Sequence, residues 1–354
     1  ACFLAQQKSS AHNADGYHWF MSRRIVRALS LVLLIAVTGC GGGASVETLA
    51  GLDGSALDAM AKRAETDGAN CLVVLKGGEL VREWNFGGSS PTALQEGFST
   101  TKSVASLLIG IAQDQGLLNL DQPASDFITE WKGTKSEPVM IRQLLSMTSG
   151  RYYDFQTDYA QMAFFSQDKS GFSIGLEQQH EPGTVWEYNN SATQTLEVVL
   201  KRASNMAVND FAAQYLFNPL GLSSRLITDA AGNAGLYAGM QTSCRDLATL
   251  TQLVLDQGAY QGKQIISQAF VAEAIKQSST LKDDYGLLWW LDPSGAYYMS
   301  GACGQVAMAM PQFDVVATLM RATDLSSPQS LLTCGGESSE EILLEGISAA
   351  SIGG

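Results

Sequence analysis

The chain has 354 residues, 45% of them apolar, with 8 prolines and 35 glycines. This is globular composition, long enough for a sizeable core or about two domains and too apolar for a disordered chain. With 22 basic against 35 acidic residues the net charge is −13, which leaves little basic surface for a nucleic-acid partner, so none is expected.

In chain order, residues 1–20 read as sequence upstream of the true start. Met21–Arg27 is basic, Ala28–Val37 is mostly apolar, and Val37-Thr38-Gly39-Cys40 closes the run on small residues. That order is a secretory signal over 21–39, and ten apolar residues are too few to span a bilayer. Its ending resembles a bacterial lipobox, which implies cleavage before Cys40 and lipidation of the Cys40 sulfur. Residues 40–46 then form a glycine-rich tether. The expected location is the bacterial cell envelope on the periplasmic side, with membrane contact through the lipid anchor only. Losing residues 1–39 removes Lys8, Arg23, Arg24, Arg27 and Asp15, which takes the net charge from −13 to −16. Cys71, Cys244, Cys303 and Cys334 lack CxxC spacing, so export favours one or two disulfides over a zinc site. Three complete pairings are open.

Past the tether, Val46–Ala64 has helical periodicity. Cys71–Leu75 and Glu79–Trp84 flank Lys76-Gly77-Gly78 as a strand–turn–strand hairpin. From Lys102, the apolar positions Val104, Leu107, Leu108 and Ile111 recur at helical spacing, and Gly116 stops that amphipathic helix. Further helices are predicted at Ile141–Met147, Ala192–Ala203, Val208–Leu216, Ser243–Asp256 and Ser267–Gln277, which makes a helical lobe of about 120–282. Strand signals return at Tyr285–Leu291, Ala296–Ser300, Gln305–Met310 and Val315–Met320, and Leu331–Ala350 is broadly helical. The expected fold class is α+β (or α/β): one antiparallel sheet from the N- and C-terminal parts, flanked by helices, with an all-helical lobe inserted.

Histidine restricts the chemistry. The chain has His12, His18 and His180, and the first two precede the predicted cleavage site. One histidine leaves no room for the usual zinc sites or a Ser-His-Asp triad with its late histidine. Gly171-Phe172-Ser173-Ile174-Gly175 matches GxSxG but lies in a polar loop context with no later histidine except His180, so it is not read as a nucleophile elbow. SxxK occurs three times, at Ser99/Lys102, Ser166/Lys169 and Ser279/Lys282. Ser99 and Lys102 alone sit at the start of an amphipathic helix. Residues three apart share a helix face there, and the free N–H groups and burial favour a neutral lysine able to accept a proton. The competing reading makes Ser99 a helix cap and Lys102 a solvated residue. Tyr188-Asn189-Asn190 adds a phenol that can relay a proton and an amide that can orient a carbonyl. Its competing reading is a helix cap before Ser191.

Taken in order, Gly97-Phe98-Ser99-Thr100-Thr101-Lys102-Ser103, Gly116–Pro123, Ile141–Gly150, Glu181-Pro182-Gly183, Tyr188-Asn189-Asn190 and Asn218-Pro219-Leu220-Gly221 resemble the β-lactamase-related serine hydrolase family. That family includes class C β-lactamases, D-Ala-D-Ala carboxypeptidases, family VIII-type esterases and 6-aminohexanoate-oligomer hydrolases. The resemblance covers about 47–350. It implies that Ser99 is the acylated nucleophile, that Lys102 takes its proton, that Tyr188 is the partner acid/base, and that Asn190 contacts the substrate's carbonyl or amide. It implies no metal or organic cofactor. His180 has no chemical part.

The third family motif departs from pattern. Where Lys-Thr-Gly or His-x-Gly is usual, this chain has Met299-Ser300-Gly301-Ala302. Gly301 would let substrate pack against the strand, and the backbone N–H near Ala302 would pair with that of Ser99 as an oxyanion hole. The missing cation argues against penicillins and D-Ala-D-Ala peptides unless Arg321 or another cation compensates. Ser-Gly-x-x-Gly-Gln looks more like the 6-aminohexanoate-hydrolase-like branch, where Tyr152, Tyr153 and Asp154 become further candidates. The expected activity is hydrolysis of a small ester, amide or peptide-like substrate through acyl-Ser99. The alternatives are a β-lactamase or D-Ala-D-Ala carboxypeptidase, transacylation, and a non-catalytic envelope binding protein.

Overall fold

The computed structural model describes residues 48–323, 334 and 336–352. The 1–20 segment, the signal sequence, Cys40 and the whole 40–46 tether lie outside the described residues. No helix among the described residues is long and apolar enough to cross a membrane.

The chain enters through a small antiparallel ladder, Thr48–Leu49 with Leu52–Asp53. The helix expected over 46–64 therefore starts later, as α1 (Gly54–Thr66), because Asp53 accepts from the amides of Ser55 and Ala56 and caps it there. Strands β1 (Ala69–Lys76) and β2 (Glu79–Asn85) form the expected hairpin, with Gly77 and Gly78 both at positive φ in its turn. At the far end of the chain, β3 (Trp290–Leu291), β4 (Tyr297–Gly301), β5 (Gln305–Met310) and β6 (Val315–Arg321) pair antiparallel. The N-terminal hairpin joins this sheet through β1 on β6, with Val316 opposite Leu75 and Thr318 opposite Val73. The order across the six strands is β3-β4-β5-β6-β1-β2.

Side-chain alternation divides the sheet between two cores. Leu72, Val74, Val306, Met308, Val315, Ala317 and Leu319 face α1 and the C-terminal helix α5 (Ser339–Ile352). Val73, Ala307, Ala309, Val316 and Met320 join the larger core, which contains α2 (Thr100–Asp114) and α4 (Cys244–Leu255). A sheet covered on both faces needs apolar residues at both parities, and every residue of β6 is buried.

The helix α2 is buried on all sides from Thr100 to Ala112, so it has no solvent face of the kind its periodicity implied. It is the central pillar, tied to the 285–291 segment by the Ser103 hydroxyl, which donates to Leu288 O at 2.7 Å. In the 120–282 stretch short helices alternate with irregular connections, and α3 (Asn190–Ser204) is its longest helix. The stretch also carries short strands: Met240–Thr242 lies between Gln95–Glu96 and Arg225–Leu226.

Two local expectations need correction. Of Tyr285–Leu291 only the last two residues are a strand, because Leu288 sits at φ 62° and the backbone turns to pair with the ends of neighbouring helices. The Gly171–Gly175 motif lies in a helix, Lys169–Gly175, capped by Asp168, rather than in a loop. The disulfides are Cys71–Cys244, joining β1 to α4, and Cys303–Cys334.

Candidate active site

The turn before α2 is held by its own threonines. The Thr100 hydroxyl donates to Gly97 O at 2.8 Å and the Thr101 hydroxyl to Phe98 O at 2.5 Å. Gly97 N donates to Met240 O at 2.8 Å. This pins the backbone although Phe98 adopts φ 47°, a region non-glycine residues avoid. Ser99 follows in helical geometry, and its side chain makes no capping bond. The cap reading of Ser99 therefore fails, and its hydroxyl is held by Lys102, whose Nζ donates to Ser99 Oγ at 3.1 Å.

Lys102 is 1% exposed. Its Nζ also donates to Asn190 Oδ1 at 2.6 Å and to Tyr237 O at 2.7 Å, and lies 4.7 Å from the centre of the Tyr188 ring. Burial pushes its pKa down to about 7, and the negative charge of Asp158 pulls the other way. Burial raises the Tyr188 phenol well above its ordinary value, while a hydrogen bond with Ser99 opposes the shift. Tyr188 is therefore a neutral phenol near pH 7. Its ring stacks on Trp290 at 5.8 Å and meets Tyr285 edge-on at 6.5 Å, so the residue has little freedom to swing. Asn189 and Asn190 divide two tasks. Asn189 Oδ1 accepts from Ala192 N at 2.7 Å and caps α3, whereas Asn190 faces Lys102.

The end of β4 closes the site from the sheet side. A Cβ on Gly301 would sit 2.4 Å from Gly97 O and 3.2 Å from Ser99 N. No side chain fits there, and this close approach brings the strand end beside the turn that carries Ser99. Ala302 is exposed and opens the turn that ends at Gly304, with Cys303 at φ 64°. The strand carries no cation. Met299 is fully buried, and the Ser300 hydroxyl donates to the Glu340 carboxylate at 2.7 Å. Arg321 cannot compensate, because its guanidinium is committed to Asp67, to Glu337 O at 2.9 Å and to Cys303 O at 3.5 Å.

The other motifs stay apart from this cluster. Ser173 is 1% exposed and its hydroxyl has no partner. Lys169 donates to the backbone oxygen of Ser166, not to its hydroxyl. Lys282 pairs with Asp284 at 2.8 Å. Tyr152 and Asp154 hydrogen-bond to each other, and Asp154 caps the turn that follows it. Sequence reasoning missed Asp158 and the Tyr237 carbonyl. Asp158 is 1% exposed, and its carboxylate accepts from Asn190 N at 3.0 Å and Ser191 N at 2.7 Å. An acid in the helix-forming stretch after Thr-Ser-Gly was its one available signal.

A serine, a buried lysine, a phenol and an amide gathered at the mouth of a sheet-and-helix fold define a class. The chain belongs to the Beta-lactamase family, whose sequence profile matches residues 56–329. Its relatives include the 6-aminohexanoate-dimer hydrolase of Paenarthrobacter ureafaciens, 23% identical over 237 residues, which are 62% of this chain and 60% of that enzyme. The chain therefore spans about 60% of the length of that relative. Among solved structures, a chain from Bacillus anthracis named as a candidate 6-aminohexanoate-dimer hydrolase superposes with a TM-score of 0.70 at 19% identity, covering 81% of this chain and 79% of that one. A family VIII carboxylesterase superposes with a TM-score of 0.64 at 17% identity, covering 84% and 96%. The profile match establishes the family, and the structural likenesses establish the fold.

Proposed function

We propose that the protein hydrolyses a small ester or amide, without requiring a substrate carboxylate, through an acyl-Ser99 intermediate. The observation that carries the reading is the buried Lys102 amine, 3.1 Å from Ser99 Oγ and with its pKa lowered to about 7. In its neutral form Nζ accepts the Ser99 proton as Oγ attacks the substrate carbonyl. The oxyanion is held by the backbone N–H groups of Ser99 and Ala302, which the approach of Gly301 to Ser99 N would bring together. The neutral Tyr188 phenol gives its proton to the leaving alcohol or amine. Asn190, its oxygen engaged by Lys102, offers its Nδ2 to the substrate carbonyl. Water then attacks the acyl carbonyl as the Tyr188 phenolate takes its proton, and protonated Lys102 returns its proton to Ser99 as Oγ leaves the acyl carbon.

Two observations favour substrates without an obligatory carboxylate: Arg321 is engaged elsewhere, and the charged group bonded to Ser300 is itself a carboxylate. The signal-like 21–39 segment and Cys40 support a lipid-anchored enzyme facing the periplasm. The test is intact mass of the full chain, extracted from membranes and mixed with a short p-nitrophenyl ester or, separately, a penicillin. The expected result is an ester adduct absent from Ser99→Ala, no lasting penicillin adduct, and a lipid mass on Cys40. No adduct and no turnover with either would sink the hydrolase reading in favour of a binding role. A penicillin adduct would shift it towards β-lactam or peptidoglycan chemistry, and a soluble chain without lipid would sink the anchor.

A further inference from the structure

We propose that Asp158 is a positioning residue of this site: its ionised carboxylate clamps the first turn of α3, and with it Asn190, against Lys102, and supplies the negative charge that Lys102 faces. The inference rests on the hydrolase reading above.

The geometry forms a chain of contacts. One Asp158 oxygen accepts from Asn190 N at 3.0 Å and the other from Ser191 N at 2.7 Å. Asn190 Oδ1 accepts from Lys102 Nζ at 2.6 Å, and Nζ reaches Ser99 Oγ at 3.1 Å. The carboxylate thus fixes the backbone of the residue whose side chain holds the lysine. Capping does not by itself explain an acid here. Asn189, next to α3 in sequence, already accepts from Ala192 N, and a neutral side chain could take the remaining amides. A carboxylate buried to 1% exposure carries a large desolvation cost that a neutral cap avoids. Burial raises its pKa, and the two amide donors, the Ser191 hydroxyl and Lys102 oppose that shift, as does the positive end of a 15-residue helix.

The segment bearing Asp158 is itself anchored. Asp154 Oδ1 accepts from Thr157 N at 3.0 Å, and Asp158 N donates to Asp154 O at 3.0 Å. Residues Gln156–Phe165 then wind with the wider π-helical turn often found at functional sites. The titratable groups that Asp158 acts on are Lys102 of α2, Tyr188 before α3, and Tyr237. Tyr159 also acts on Tyr188, and Glu96 and Asp229 on Tyr237. Lys102 is the cation of this set, so its protonation is what removal of the Asp158 charge changes most. Without that charge, protonated Lys102 loses its counter-ion and the neutral form extends to lower pH.

The variant is Asp158→Asn in the full chain, which can still accept one amide N–H but carries no charge. The expected result is a fall in kcat of about tenfold with little change in KM, since Asn190 is less firmly held. The acid limb of kcat/KM should move down by roughly one pH unit. The same shift is expected in the titration of Lys102 followed by NMR of isotope-labelled lysine. A purely structural Asp158 would lower Tm and leave both midpoints in place, and that result overturns the inference. Should Asp158→Asn fail to fold, the carboxyl carbon of Asp158 in the wild-type chain decides. Ionised at pH 7 it supports the inference, and protonated at pH 7 it overturns it. If the wild type turns over no ester or amide yet Lys102 still shifts in the variant, the hydrolase reading fails and the electrostatic pairing stands.

Discussion

A lysine works as a base near neutral pH only when its environment makes the proton easy to lose. For Lys102, removal from water does this, and Asp158 keeps the shift from running further. The consequence for pH follows from the sign. Protonated Lys102 cannot accept the Ser99 proton, so kcat/KM should rise as pH passes through about 7 and then level off. No second, alkaline limb is expected from Tyr188 in the ordinary assay range, because burial raises the phenol well above its usual value. Lys102→Ala and Tyr188→Phe should each lower kcat/KM by roughly 10²–10⁴, the usual worth of a positioned proton-transfer group. Steady-state rates between pH 5 and 9 check both statements. A flat profile, or near-normal turnover in either variant, contradicts the assignment.

At the scale of elements, the site is a meeting of backbones. The start of α2, the start of α3 and the end of β4 come from residues 99, 190 and 301, and the closest approach is between Gly301 and Gly97. Gly301→Val would force a Cβ into the 2.4 Å contact with a backbone oxygen that cannot move aside. The strand end must retreat from Ser99. Such misplacement should cost about 10² in kcat/KM, with overpacking of about 1–3 kcal/mol in stability. Turnover combined with denaturant unfolding distinguishes the two. A variant as active as wild type would show that β4 does not serve the reaction. The aromatic stack of Tyr188 on Trp290 has a similar logic, since it ties the phenol beside Ser99 to the edge strand β3.

At the scale of the molecule, the sheet joins distant parts of the chain, and the two disulfides differ in what they hold. Cys71–Cys244 closes a loop with a sequence separation of 173 between the sheet and α4. Replacing both cysteines with serine should lower unfolding stability by roughly 3–5 kcal/mol while leaving the kinetic constants of the folded enzyme largely unchanged. Cys303–Cys334 instead restrains the turn directly after Gly301 and Ala302. Its removal should lower kcat more than it lowers the unfolding midpoint. Parallel denaturation and kinetic measurements on the two double variants check the contrast, and equal effects on both quantities would contradict it.

Much of this was local and therefore legible. Ser99 and Lys102 meet because three residues nearly complete a helical turn, and the β1–β2 hairpin follows from Gly77-Gly78 between two apolar runs. The strands β5 and β6 were readable from short apolar runs bounded by turns, and the helices around 190–204 and 244–255 from their periodicity. The Tyr188-Asn189-Asn190 segment was legible as a motif, although not which asparagine caps and which faces the lysine. What depended on long-range packing was not legible. Nothing near Asp158 in sequence says that its carboxylate will meet amides 32 and 33 residues away. A backbone oxygen such as that of Tyr237 carries no residue-specific signal at all. The pairing of four cysteines, the engagement of Arg321 and the closeness of Gly301 to Gly97 were likewise open. The amino-acid sequence determined the chemical groups and their local spacing, because helix and strand periods act over a few residues. Tertiary structure decided which buried charges and backbone atoms surround them, because desolvation and close approach are set by contacts between segments far apart in the chain.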